Sequence, residues 1–123
     1  MSTGRRKQQV GRWGEQVASA YPERKGWTIL EMNVRSPYGE LDIIARDEKT
    51  TVFVEVKART GGGYGLPEEA ITPVKREHIL RAVQAYWQQQ AEETPWRVDV
   101  IAIQGKPGGK DVQIEHFENA ITA

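Results

Sequence analysis

Apolar positions follow two different periods along this chain. Val10, Trp13, Gly14, Val17, Ala18 and Tyr21 recur every three or four residues, which predicts an amphipathic helix over about residues 8–21. Pro22 removes a backbone donor and crowds the preceding turn, so the helix is expected to end or kink near Ala20, with Gly26 closing what remains. Residues 27–33 then read as a strand, and SPYG at 36–39 as a turn. Two further strands, 40–46 and 51–57, are rich in Ile, Val and Phe and flank the polar DEKT turn. Thr72 is a helix N-cap and Pro73 suits the first helical position. Ile79, Leu80, Val83, Tyr86 and Trp87 form the apolar stripe of a helix over 73–90, where Tyr86 and Trp87 read as core. Strands at 97–103 and 112–117 flank the GKPGGK turn.

The order is helix, three strands, helix, two strands. Short connections make the first three strands antiparallel, whereas the long helix is a crossover that sets strand 97–103 parallel to strand 51–57. The expected fold class is therefore α/β, a mixed sheet of about five strands flanked by helices. With 123 residues this is one domain, taken as 8–123, behind a flexible basic tail at 1–7. The glycine-rich stretch TGGGYGLP at 60–67 lacks the Gly-Lys-Ser/Thr ending of a nucleotide-binding loop and reads as a mobile loop beside a site.

Composition narrows the chemistry. There is no cysteine, which excludes disulfides, thiolate metal sites and cysteine nucleophiles. No apolar run reaches the ~18 residues of a membrane span and no signal-peptide segment is present, so a cytoplasmic location is expected. Formal net charge is zero, yet Arg5, Arg6, Lys7 and Arg12 form one basic stretch and Lys75, Arg76, His78 and Arg81 another. A solvated tail and helix face explain these plainly; phosphate contacts are the functional alternative.

Acids inside the apolar hairpin change the picture most. If the hairpin turns between Glu48 and Lys49, Leu41 opposes Val56, Ile43 opposes Val54 and Ile44 opposes Phe53, which matches apolar with apolar on both faces. The same register sets Asp42 opposite Glu55 and Glu40 opposite Lys57. Cross-strand Cβ atoms lie ~4.5–5.5 Å apart, and two carboxylates that close repel unless one is protonated or a cation lies between them. One solution is a hard divalent cation, Mg²⁺ or Mn²⁺, held by the acids with Lys57 beside it. The other is a salt-bridged hairpin in which Glu40 pairs with Lys57 and Asp42 caps a bulge.

An Asp, a turn and a Glu-x-Lys on the next strand resemble the PD-(D/E)XK nuclease superfamily. GRWGEQVA (11–18), NVRSPYGELDIIA (33–45), VFVEVKART (52–60), Lys75 and RVDVIAI (97–103) together resemble the YraN-type family of small bacterial proteins, itself similar to archaeal Holliday junction resolvases. The resemblance implies a restriction-endonuclease-like core and a metal-dependent nuclease acting on DNA. It implies that Asp42 and Glu55 bind metal, that Glu15 adds to them from the first helix, and that Lys57 is the catalytic lysine. Glu40 is a further candidate ligand or the partner of Lys57. Glu15 follows Gly11 and Gly14, residues small enough for a close helix–sheet approach. Arg5, Arg6, Lys7, Arg59, Tyr64, Lys75 and Arg81 are the candidate nucleic-acid contacts. Two other readings stay open: a structure-selective junction resolvase, which requires a homodimer with two sites, and a nucleic-acid-binding module without turnover.

Overall fold

The two periods resolve into the expected elements. The computed structural model describes residues 3–59, 71–106, 108–109 and 111–122, with the side chains of the first helix described from Arg12 onward. In chain order these are α1 (Thr3–Arg24), β1 (Thr28–Ser36), β2 (Gly39–Asp47), β3 (Thr50–Arg59), α2 (Pro73–Gln88), β4 (Trp96–Gln104) and β5 (Gln113–Ile121). The strands form one sheet in the order β1-β2-β3-β4-β5. β1–β2, β2–β3 and β4–β5 pair antiparallel, and β3–β4 pairs parallel across the α2 crossover. A five-stranded mixed sheet with a helix on each face is a restriction-endonuclease-like α/β core. Among the described residues no helix is long and apolar enough to cross a membrane.

Alternation divides the core into two layers. Leu41, Ile44, Phe53, Val98, Val100 and Ile121 face α2, meeting Ile79, Ala82 and Val83. Ile43, Ala45, Val52, Val54, Ile101 and Ile103 face α1, meeting Trp13 and Ala18, with Trp27 from the helix–strand connection. Tyr86 and Trp87 both meet the Phe53 ring edge-to-face, as core residues. Burying these side chains contributes roughly 1.5–3 kcal/mol each, which explains why the sheet tolerates a few acids between them.

α1 is longer than its apolar stripe predicted, taking in the backbone of residues 3–7 and running through Pro22 to Arg24. The carbonyl of Pro22 remains a good acceptor although its nitrogen donates nothing. Trp27 N donates to it at 2.8 Å and Gly26 N donates to Glu23 O at 3.0 Å. With Gly26 at φ 83°, that is a Schellman closure. Proline so near the end therefore leaves the last turn intact. The glycine-rich loop with Tyr64, and the side chains of Arg5, Arg6 and Lys7, lie outside the described residues.

Candidate metal centre

The site begins with a failure of alternation. Met32 pairs with Ile43 and Val34 with Leu41, so Asn33 and Asp42 stand between those pairs on adjacent strands. Leu41 and Ile44 both face α2 although three positions apart, so the inward–outward alternation breaks at Asp42 while the β1–β2 register runs through it unshifted. Asn33 has φ 54°, the left-handed region that asparagine tolerates better than most side chains. The β2–β3 ladder runs from Asp47–Thr50 to Ile43–Val54, in the expected register. Just past its end, Asp42 Oδ2 accepts a 2.8 Å hydrogen bond from Val56 N. The carboxylate thus takes a β3 donor in place of a backbone partner.

Glu15 is brought in by α1. A Cβ on Gly14 would lie 2.6 Å from the Ala58 Cβ, so only glycine lets α1 come this close to β3. One oxygen each from Glu15, Glu40 and Asp42 then lie within 4.8 Å of one another. Oriented with its nitrogen toward them, the Asn33 amide donates to Glu40 Oε1 at 2.8 Å and to Glu15 Oε1 at 3.1 Å and Oε2 at 3.3 Å. Burial pushes the Asp42 carboxyl up to about 7. The Glu55 charge and, more weakly, that of Glu15 push the same way, against the Val56 N–H and Lys75. This is a half-buried carboxyl group short of positive partners.

Glu55 sits beside this cluster in a different role. Its Oε1 lies 3.6 Å from Lys57 Nζ and 3.3 Å from Lys75 Nζ, with only 6% of its side chain exposed. Lys75 is in the first turn of α2, where Thr72 caps the helix by accepting from Lys75 N at 3.1 Å. Glu40 pairs not with Lys57 but with Arg35, at 3.8 Å. The salt-bridged hairpin envisaged from the register is therefore corrected: once the strands part beyond Ile43, each of its two members finds a nearer partner.

Four expected site residues, Glu15, Asp42, Glu55 and Lys57, are brought to one end of the β2–β3 pair, with Glu40 and Lys75. Arg81 is not part of this group. Its guanidinium is 2.7 Å from Glu77 and lies over the Tyr38 ring. Arg59 ends β3, next to the glycine-rich loop. Asn33 was missed, although an asparagine flanked by Met32 and Val34 in a strand is itself a signal, since asparagine is depleted there.

The donor set suits a hard cation. It is made of carboxylate oxygens, without the sulfur or imidazole that softer metals select, and its 4.8 Å span is close to the ~4 Å between opposite ligands of octahedral Mg²⁺. Glu15, Glu40 and Asp42 would hold such an ion, with Glu55 within electrostatic reach.

Comparison with known proteins gives a consistent kinship. A family model described as uncharacterised protein family UPF0102 matches residues 14–103, the span that contains every side chain of this cluster. A UPF0102 protein of Syntrophotalea carbinolica is 44% identical over 112 residues, covering 90% of this chain and 89% of its own. Another, of Nocardia farcinica, is 43% identical over 115 residues, covering 91% and 88%. One of Roseiflexus castenholzii is 38% identical over 121 residues and 97% of both chains.

Proposed function

The chain belongs to the UPF0102 family, and from the side chains in the matched span we propose that it is a divalent-metal-dependent nuclease hydrolysing phosphodiester bonds in DNA. The observation that carries this reading is the convergence of Glu15, Glu40 and Asp42 within 4.8 Å, beside an acid that gathers two lysines. When bound, Mg²⁺ or Mn²⁺ would polarise a phosphate oxygen and lower the pKa of a water. Everything else is the work of the protein's own groups. Asp42 and Glu15 supply oxygens from β2 and α1, and the Gly14–Ala58 approach seats α1 against the neighbouring strand β3. Glu55 holds Lys57 and Lys75 beside them, which keeps both ammonium groups from folding back onto the metal ligands.

Lys57, with 22% of its side chain exposed, is the better sheltered of the two lysines; Lys75 is 43% exposed. A sheltered ammonium is screened less by water, so it gains more from charge that builds on phosphorus oxygens during attack. Lys57 is therefore the transition-state residue and Lys75 the ground-state phosphate contact. The likeness to junction-resolving enzymes favours DNA, with four-way junctions as the finer possibility.

The test is a cleavage assay on supercoiled plasmid, single-stranded DNA and a four-way junction, with Mn²⁺ or Mg²⁺. Wild-type protein should cut at least one. Lys57→Ala should lose about 100-fold or more in turnover while keeping its affinity for that substrate, as expected for an interaction made in the transition state. Equal cutting by both proteins marks a contaminant. No cutting of any substrate favours a binding module without turnover.

A further inference from the structure

We propose that Asn33 is the positioning residue of this centre, an uncharged clamp that holds Glu15 and Glu40 together in the geometry that receives the cation. The inference rests on the reading that Glu15, Glu40 and Asp42 bind a divalent ion. Those acids come from α1 and from two points on β2, and like charges brought together repel. The Asn33 amide offsets that repulsion with donors 2.8 Å from Glu40 and 3.1 Å and 3.3 Å from Glu15. An amide serves here where a lysine would not. An ammonium in this place would neutralise the acids and compete with the ion, whereas an amide orients them and leaves their charge available.

The backbone makes the same point independently. Asn33 adopts φ 54° inside a strand, beside the break in alternation at Asp42. That conformation is disfavoured for L residues and tolerated best by glycine and then by asparagine or aspartate. A glycine would serve the kink alone; the amide is what asparagine adds. Groups that hydrogen-bond metal ligands typically govern 10–100-fold in metal affinity.

The experiment is calorimetric titration of Mn²⁺ into the metal-free full-length chain without nucleic acid, for wild type and Asn33→Gly. Glycine accepts the positive φ and deletes only the amide. Wild type should bind one ion, and Asn33→Gly should bind it about 10–100-fold more weakly, its metal-free melting temperature staying close to wild type because relief of the positive φ compensates for the lost hydrogen bonds. Asn33→Asp provides the second measure. It replaces a donor with a fourth carboxylate, so its metal-free melting temperature at pH 8 should fall below that of Asn33→Gly. Equal Mn²⁺ affinity in wild type and Asn33→Gly would overturn the role of Asn33 and leave the metal site standing. So would an Asn33→Asp protein as stable as wild type. Wild type that binds no Mn²⁺ would overturn the metal reading and this inference with it.

Discussion

Asp42 is partly buried, accepts one backbone hydrogen bond and has Glu15, Glu40 and Glu55 around it. Its carboxyl is raised from 3.8 to about 7, first by burial and then by Glu55. The sign of the consequence follows from linkage. Below pH about 4 the group is protonated in both folded and unfolded chains, and the fold carries no penalty. Between about 4 and 7 it ionises in the unfolded chain first, so stability falls as pH rises, and above about 7 the penalty is complete. At ~1.4 kcal/mol per unit it amounts to a few kcal/mol. Without metal, wild type should therefore lose stability between pH 4 and 8 relative to Asp42→Asn, as measured by thermal melting of both. At pH 8, Mn²⁺ should raise the melting temperature of wild type and not of the variant. Parallel pH profiles would remove the strain attributed to Asp42. The repelling acids were legible in the sequence because a two-residue alternation and a turn suffice to bring Asp42 and Glu55 together. Asn33 was not, since its partners lie on α1 and beyond the next turn, and no local period points to them.

At the scale of elements, apolar pattern decided nearly everything that positions the site. Matching Ile43 with Val54 and Ile44 with Phe53 fixed the hairpin register, and the length of the α2 crossover fixed the parallel β3–β4 pair. The pattern failed where backbone hydrogen bonds outweighed it, at the closure of α1 beyond Pro22 and at the break in alternation beside Asp42. Glu15 reaches the cluster only because α1 lies against β3 at Gly14. In Gly14→Ala, the gain in helix propensity of ~1 kcal/mol opposes an overpacking cost of ~1–3 kcal/mol. The new methyl would meet the Ala58 Cβ at 2.6 Å, and neither atom belongs to a flexible side chain. Overpacking should win, with a net loss of up to about 2 kcal/mol in urea denaturation and weaker Mn²⁺ binding as Glu15 is pushed away. Undiminished stability and Mn²⁺ affinity in this variant would show that α1 does not need the contact.

In the molecule as a whole, Asp42 and Asp99 both interrupt apolar strands, and their partners tell them apart. Asp99 is fully buried and fully answered: Arg97 Nε lies 3.1 Å from Oδ1, His116 Nε2 2.7 Å from Oδ2, and Asn119 N donates to Oδ1 at 2.8 Å. Arg97 also reaches Asp47 and Glu118, and stacks over Trp27, so this network ties β4 to β5, to the β2–β3 turn and to the end of α1. Satisfied buried polar groups of this kind specify a fold. Asp42 has one backbone donor and acidic neighbours, with only the weaker pull of Lys75 against them, so its charge is far less fully answered than that of Asp99. This distinction was beyond the sequence, where Asp99 and Asp42 look alike between apolar neighbours. The central claim is that a divalent cation sits among Glu15, Glu40 and Asp42. Paramagnetic broadening by Mn²⁺ in the amide spectrum of the isotopically labelled protein tests it most directly. Substoichiometric Mn²⁺ should first erase the signals of residues around Glu15, Asn33 and 40–43, with those of 55–57 next. Residues around Asp99 and His116 should remain sharp. Broadening spread evenly over exposed acids, or centred anywhere else, would contradict it.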